Sequence, residues 1–280
     1  MSWVALAFSL AVALAVVPAG RTALLAAGME RANYRGRPLA FPIGVAVVAG
    51  ALVALSVLAP LGALADEGLL DSGLERWMVY VIGVAFLGLL DDVVGRGAAP
   101  DSPRGWRGHA AAVLRGQMST GAIKALGSLA LAAFVLSRRG VEGWQYVADI
   151  GLLLLATNAM NLLDTGPGRC ETAFALLAAG LCVGAWTTGP LELLGPFVAP
   201  AAVAGAYTLR ERAMLGDTGS NVLGALAGIW LLTALGDEGR LIALAAVATI
   251  TVYGEFRSIG ALVERVPPLR ALDSLGRVNR

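Results

Sequence analysis

The chain has 280 residues, of which 57% are hydrophobic and only 15% are charged, and its formal net charge is +1. This balance excludes a water-soluble globular domain and is typical of an integral membrane protein. The net charge alone indicates no partner, and nucleic acid is not expected as one. The two cysteines, Cys170 and Cys182, lie at opposite ends of one apolar segment, so a structural disulfide is not expected.

Nine apolar segments follow one another along the chain. A helix needs about 17 to 25 residues to cross the hydrocarbon core of a bilayer. The segments therefore predict an all-α, polytopic transmembrane bundle of about nine to ten helices over residues 1–256. The first segment has no basic residues before it, which favours a retained helix over a cleaved signal peptide. The segments are 2–26, 41–64, 76–94, 120–137, 144–163, 170–188, 191–209, 220–236 and 240–256.

The basic residues predict the orientation of this bundle. Lysine and arginine collect in cytoplasmic loops. With nine helices and an external amino terminus, 17 of the 21 basic residues are cytoplasmic, including those of the longest loop, 94–119, which also carries His109. The external loops keep only Arg76, Arg138, Arg139 and Arg240. The tail, 257–280, alternates apolar and basic residues, which is typical of a short interfacial helix on the inner leaflet or of an ordinary basic tail.

Carboxylates gather at the predicted cytoplasmic ends of three helices. Asp91 and Asp92 end the third segment, Asp164 ends the fifth, and Asp217 precedes the eighth. Acidic groups at helix carboxyl ends are disfavoured by the helix dipole, so a cationic partner is expected. Together they suit a hard divalent ion such as Mg²⁺, which takes oxygen ligands and accompanies phosphates. Solvated helix ends are the alternative interpretation.

Two polar motifs accompany these carboxylates. Asn158, Asn161 and Asp164 recur every third residue, which places them on one stripe of the fifth helix. The stripe predicts either a functional face or hydrogen bonds to neighbouring helices. The sequence Gly-Asp-Thr-Gly-Ser at 216–220 opens the eighth helix, where free backbone N–H groups suit a phosphate, although a capped turn explains it as well.

The motifs resemble those of the polyprenyl-phosphate N-acetylhexosamine-1-phosphate transferase superfamily, which includes the phospho-MurNAc-pentapeptide translocase of peptidoglycan synthesis. Asp91-Asp92 is similar to the family's Asp-Asp motif, and Lys124 to the lysine that follows it. The run from Asn158 to Asp164 and the Gly-Asp-Thr-Gly-Ser motif match two further family motifs in the same order, and Asn33-Tyr34-Arg35-Gly36 is similar to the first inner loop.

The chain departs from the family where the donor nucleotide is recognised. Pro167 stands where the resemblance implies a second acid, and Met214 aligns with an aromatic residue expected to stack on uracil. A late histidine cluster is also missing, since no histidine follows His109. The motifs for metal and phosphate are therefore kept better than those for the nucleotide.

The resemblance implies a Mg²⁺-dependent phosphotransferase in a bacterial inner membrane. It would move a phosphosugar from a nucleotide-sugar donor to a polyprenyl phosphate on the cytoplasmic face, in cell-wall or envelope glycan synthesis. Asp217 would hold the metal, while Asp91, Asp92, Asp164 and Lys124 would be catalytic. Substrate contacts would come from Asn158, Asn161, Arg169, Arg212, Gly219 and Ser220.

Two other functions are compatible with the same residues. A non-catalytic binder of lipid-linked precursor would keep the scaffold after losing nucleotide recognition. A transporter is less compatible, because the acids cluster at one face and transport sites usually lie near the midplane. The oligomeric state is open, with a homodimer as one option.

Overall fold

The computed structural model of the protein describes residues 3–65, 68–95, 119–140 and 143–274. Within these ranges each of the nine predicted segments coincides with one helix to within a few residues, and a hairpin and two short helices complete the fold. Most of the predicted 94–119 loop, with His109, lies outside the described residues, as does Arg277 of the tail. The nine helices are α1 Trp3–Ala26, α2 Gly44–Leu64, α3 Leu74–Val94, α4 Thr120–Leu136, α5 Gly143–Leu163, α6 Arg169–Gly184, α7 Gly189–Leu209, α8 Gly216–Ala234 and α9 Asp237–Phe256.

Six of the described helices are long and apolar enough to cross a membrane: α1, α2, α3, α5, α7 and α9. Helix α4 is apolar but has only 17 residues, α6 has 16, and α8 begins with a polar turn. Large apolar side chains on the outside of the bundle include Leu14, Phe86, Phe134, Ile242 and Phe256, each more than half exposed. A surface this apolar is suited to lipid and not to water.

Helix α8 is the centre of the bundle, and nearly all of its residues are buried. Trp230 is fully buried and stacks on Phe174 of α6, with ring centroids 4.7 Å apart. Asn221 donates from Nδ2 to the carbonyl of Val84 in α3, at 3.2 Å. Because no water competes inside a bilayer, such polar contacts between helices help to fix their relative positions.

Helices α3 and α5 are joined by a second polar contact beside α8. The hydroxyl of Tyr80 in α3 lies 3.0 Å from Oγ1 of Thr157 and 3.3 Å from the carbonyl of Leu153, both in α5. All three central helices are therefore connected through polar atoms as well as through apolar packing.

A small hairpin closes one end of the bundle. Strands β1 Glu30–Ala32 and β2 Pro38–Ala40 pair in antiparallel fashion, and Ala40 forms a parallel bridge with Ala213. Met214 donates its N–H to the carbonyl of Ala40 and accepts from the N–H of Ile43, both at 2.9 Å. The hairpin thereby anchors the segment that leads into α8.

The opposite end of the bundle carries a separate ionic network. Asp149 near the start of α5 is buried and lies 3.4 Å from Nη1 of Arg139 and 4.0 Å from Nη1 of Arg240. Arg139 also lies over the ring of Trp77. This network is distinct from the motif carboxylates, which lie at the end of the bundle where α3 and α5 finish and α4 and α8 begin.

The tail forms two short helices, α10 Ile259–Arg265 and α11 Pro267–Asp273, where the sequence left open a short interfacial helix or an ordinary basic tail. Proline cannot donate a backbone N–H and is favoured in the first turn of a helix, which explains the division at Pro267. Ile259 and Val263 are buried, whereas Arg265 and Arg270 are exposed. Helix α10 is thus packed on the protein through Ile259 and Val263, whereas α11 has no buried residue.

Gly88 permits the close approach of α3 to α8. A Cβ placed on Gly88 would come within 2.6 Å of the carbonyl carbon of Asp217 and 2.8 Å of Nδ2 of Asn221. We predict that Gly88→Ala lowers the melting temperature of the purified protein in detergent, because backbone atoms of α8 would have to move. Gly180→Ala is the control, since a Cβ there meets nothing within 4 Å. Equal melting temperatures for the two variants would contradict this packing.

Candidate functional site

Four helix ends form one polar cluster, which we call the carboxylate site: Asp91 and Asp92 from α3, Lys124 from α4, Asn161 and Asp164 from the end of α5, and Asp217 from α8. Sequence analysis predicted these residues as members of one site, and the structure places them side by side. The reason is topological, since the carboxyl ends of α3 and α5 and the amino ends of α4 and α8 lie at the same end of the bundle.

Asp217 is the centre of the carboxylate site. Its Oδ2 lies 2.5 Å from Nζ of Lys124, and both side chains are mostly buried, with 31% and 16% of their surface exposed, respectively. The side chain of Asp91 lies beside Asp217 and also contacts Thr120 at the start of α4. Lys124 is therefore the cationic partner that the crowded carboxylates require.

Asn161 connects three of these groups. Its side chain lies between Asp217, Lys124 and Ser220, and one amide orientation satisfies all three. In that orientation the oxygen accepts from Nζ of Lys124 at 3.0 Å, while the nitrogen donates to Oδ1 of Asp217 at 3.2 Å and to Oγ of Ser220 at 3.0 Å. Asn161 thus holds the ion pair between Lys124 and Asp217 from the side of α5.

Asp92 has a different role from that of Asp91. Its Oδ1 accepts from the N–H of Asp217 at 2.9 Å, and its Oδ2 accepts from the N–H and the hydroxyl of Thr218 at 2.8 and 2.7 Å. Asp92 therefore caps the amino end of α8. Sequence analysis left both a phosphate and a capped turn open for this helix end, and the structure favours the cap, provided by a carboxylate from another helix.

The turn before α8 depends on Gly216. Its φ of 75° lies in the left-handed region that disfavours residues with a Cβ. A Cβ there would also lie 2.8 Å from Oδ2 of Asp92. Glycine at this position thus allows the turn to bring the first N–H groups of α8 onto the Asp92 carboxylate.

Asp164 follows the last residue of α5, and its carboxylate accepts from the N–H of Gly216. Burial raises the pKa of Asp164 well above the ordinary value, and the negative charges of Glu171, Asp217 and Asp92 raise it further. A raised pKa means that the folded protein binds this proton more tightly than the unfolded chain does. The ionised form is therefore disfavoured unless a cation lies nearby.

Three of the predicted substrate residues contact neighbouring helices. Asn158 is exposed and its amide is 3.5 Å from Thr251 of α9, so the polar stripe divides between two neighbouring helices. Gly219 and Ser220 are buried in α8, where Gly219 packs against Gly44 and Ser220 bonds Asn161. These three residues support helix packing in this structure.

The two arginines predicted to contact the donor lie in different surroundings. Arg169 is buried and donates to Asp273 of α11 and to Thr165, so its guanidinium is engaged by the protein. Arg212 is exposed in the connection before α8, and its carbonyl accepts from Nε of Arg21 at 2.8 Å. Of the pair, Arg212 is the one whose side chain faces solvent.

Glu171 was missed by sequence analysis. It lies in the first turn of α6, is buried, and accepts from the hydroxyl of Thr208 in α7. It has the largest electrostatic effect of any charged neighbour on Asp164. No motif marks it in the sequence, because its proximity to Asp164 depends on how the connection from α5 to α6 folds.

The donor atoms of the carboxylate site suit Mg²⁺ bound together with a phosphate. Among the described residues, no three His, Cys, Asp or Glu side chains form a ready metal cage. Mg²⁺ is usually held by only one or two carboxylates plus phosphates and waters. Asp217 and Asp91 have carboxylate oxygens side by side, and the ammonium group of Lys124 beside them is of a kind that can pair with a phosphate.

Asp92 and Asp91 are predicted to differ in their effect on stability. Asp92→Asn replaces a charged acceptor with a neutral amide, and leaving one N–H of α8 unpaired costs about 1 to 3 kcal/mol. We expect a lower melting temperature for Asp92→Asn. Asp91→Asn removes a negative charge beside Asp217, so its melting temperature should equal or exceed that of the wild type. The opposite ranking in a thermal unfolding assay would show that Asp92 does not hold α8.

Comparison with known proteins gives no match, either to a protein-family model or to a curated protein. The relation to the polyprenyl-phosphate transferase superfamily therefore stays a hypothesis based on the order of the motifs.

Proposed function

We propose that the protein is an integral membrane phosphotransferase that moves a phosphosugar from a nucleotide-activated donor to a polyprenyl phosphate. The main support is the meeting of Asp91, Lys124, Asn161, Asp164 and Asp217 at one end of the bundle. Carboxylates next to a lysine can bind a divalent ion and a phosphate together, and both substrates of this reaction carry phosphates. The order of the motifs along the chain supports the same function.

The proposal places the carboxylate site at the cytoplasmic face of a bacterial inner membrane. It takes all nine long helices, α1 to α9, as membrane-spanning, including the shorter α4 and α6 and the central α8. The division of basic residues between the two ends supports this orientation, because arginine and lysine resist translocation. A nucleotide-activated donor is available only on the cytoplasmic side, which agrees with this placement.

In the proposed reaction an oxygen of the lipid phosphate attacks the phosphorus that carries the sugar. A new P–O bond forms, the diphosphate bond of the donor breaks, and a nucleoside monophosphate leaves. The second pKa of a phosphate monoester is about 6, so the attacking oxygen is already mostly ionised at neutral pH. Asp91 is therefore assigned to positioning the lipid phosphate and not to removing a proton from it.

The other residues hold the reacting groups in place. Lys124 exchanges its contact with Asp217 for one with phosphate, where its charge offsets that of the transferred group. Asn161 and Asp92 keep Asp217 at its position through the contacts described above. Mg²⁺ bound by Asp217, with Asp91 beside it, would offset the charge that develops on the leaving phosphate.

The donor pocket is proposed to differ from that of the family. Pro167 provides no carboxylate for a nucleobase edge, and Met214 provides no aromatic face, whose stacking contributes about 1 to 3 kcal/mol in other base-binding proteins. Common uridine donors are therefore expected to bind weakly. Arg212, with its exposed side chain, is the proposed contact for the donor phosphates.

The transferase function is tested by release of nucleoside monophosphate from a panel of nucleotide sugars, with undecaprenyl phosphate and Mg²⁺. We expect Asp217→Asn to abolish release, because it removes the carboxylate that holds the metal. Asp237→Asn is the matched control, since Asp237 is an exposed carboxylate at the opposite end of the bundle. Pro167→Asp should not impair release, because it restores an acid of the family pattern.

The binder hypothesis has its own outcome in this experiment. One outcome is that the wild type turns over no nucleotide sugar and still binds a polyprenyl phosphate with the same affinity as the Asp217→Asn variant. That result would show that the protein is a binder of lipid-linked precursor.

Orientation is tested by cysteine labelling in intact cells, after Cys170 and Cys182 have been replaced. We expect Arg37→Cys and Arg212→Cys to resist an impermeant thiol reagent, since both exposed positions lie at the end with the carboxylate site. Arg138→Cys and Trp186→Cys, exposed at the other end, should react. The reverse labelling pattern would place the carboxylate site outside the cell.

A further inference from the structure

The loop that follows Asp164 is held by a buried arginine. Arg169 donates from Nη1 to Oγ1 of Thr165 at 2.7 Å, and Thr165 is the residue next to Asp164. The guanidinium also lies across Gly166, where a Cβ would be 2.9 Å from Nη2. Arg169 thus fixes the backbone immediately after Asp164.

The same guanidinium is oriented by the tail. Its Nε donates to Oδ1 of Asp273 at 2.8 Å and its Nη2 donates to Oδ2 at 3.2 Å, so the pairing uses both carboxylate oxygens. Both side chains are about nine-tenths buried, with 10% and 8% of their surface exposed. A two-point contact with a carboxylate determines the plane of a guanidinium, which a single contact does not.

Asp273 lies at the end of the tail helix that follows α10. It is the last residue of α11, where the helix dipole disfavours a negative charge, and Arg169 offsets that cost. Apolar side chains of α6, α9, α10 and α11 line a groove of about 350 Å³ that runs beside the ion pair. The ion pair between Arg169 and Asp273 therefore connects the tail to the loop that follows Asp164.

We propose that Asp273 is a positioning residue of the carboxylate site, acting through Arg169 and Thr165 on the loop that carries Asp164. The tail is then part of the site, although Asp273 comes more than 100 residues after Asp164 in the chain. This inference rests on the proposed function for its catalytic consequence. Its structural consequence, a loop held in one conformation, does not depend on that function.

Cys170 supplies a readout that is independent of activity. It follows Arg169 directly and is completely buried, so a thiol reagent should not reach it while the loop is held. In a chain with Cys182→Ala, we expect Asp273→Asn to raise the labelling rate of Cys170 by about tenfold or more. Glu264→Gln is the matched control, because Glu264 is an exposed carboxylate in the same tail and should leave labelling unchanged.

The catalytic consequence is measured in the transfer assay with the same variants. A displacement of about 1 Å can lower the rate of a catalytic step about 100-fold. We expect Asp273→Asn to lower kcat by about 10- to 100-fold with little change in the KM for the donor. Asp273→Glu, which can still pair with the guanidinium, should restore part of the rate.

A second variant keeps the test valid if Asp273→Asn folds poorly. Arg169→Lys retains the charge but cannot contact Thr165 and both oxygens of Asp273 at once. It should increase Cys170 labelling to a similar extent, and combining the two substitutions should add little. Additive effects would show that the two residues act separately and would overturn the proposal.

The remaining outcomes distinguish a failure of the positioning role of Asp273 from a failure of the transferase function. Unchanged Cys170 labelling in Asp273→Asn and Arg169→Lys would overturn the positioning role, whatever the activity. Faster labelling with an unchanged kcat, in a protein that does transfer phosphosugar, would also overturn it. Faster labelling in a protein without any transferase activity would support the link from Asp273 to the loop and would refute the transferase.

Discussion

The structure depends on how the backbone N–H groups at the amino end of α8 find hydrogen-bond acceptors. The first N–H groups of a helix have no partner within it, and at the centre of an apolar bundle an unpaired N–H is costly. Asp92 supplies the missing acceptor by binding the N–H groups of Asp217 and Thr218 together with the Thr218 hydroxyl. This contact joins α3 to α8 and leaves the Asp217 side chain free to face Lys124. The two residues of the Asp-Asp motif therefore divide their tasks, with Asp92 supporting the helix and Asp91 lying beside Asp217.

The second constraint is the concentration of negative charge at one end of the bundle. Asp91, Asp164, Asp217 and Glu171 lie near one another, and Lys124 is the basic group that contacts Asp217 within the described residues. Burial and the neighbouring negative charges raise the pKa of Asp164, which lies just beyond the end of α5. The Asp149 network at the opposite end has two arginines for one buried aspartate and so has no comparable excess of negative charge.

The tail adds a third connection to the site. An Arg–Asp pair buried to nine-tenths is stable only when its geometry is good, and here both carboxylate oxygens accept from the guanidinium. Arg169 was predicted to contact the donor, yet its side chain faces Asp273 and Thr165 instead. Arg169 therefore connects α11 to the loop at 164–169 in this structure.

The hydrophobic pattern and the charges of the sequence predicted the helices of this protein and the arrangement of their ends. Nine apolar segments of the right length predicted all nine long helices, because an isolated apolar run in lipid must satisfy its own backbone and can do so as a helix. The same pattern predicted which helix ends share a side, and so it brought Asp91, Asp92, Lys124, Asn161, Asp164 and Asp217 together. Only the tertiary structure decided which way each side chain faces. In the structure Asn158 faces α9 while Asn161 faces α8, and Asp92 caps α8. Gly219 and Ser220 are buried, and the contacts of Glu171 and Asp273 appear only in the folded chain. These outcomes depend on helix rotation and on loop conformation, which are set by contacts between residues far apart in the chain and leave no periodic signal in the sequence.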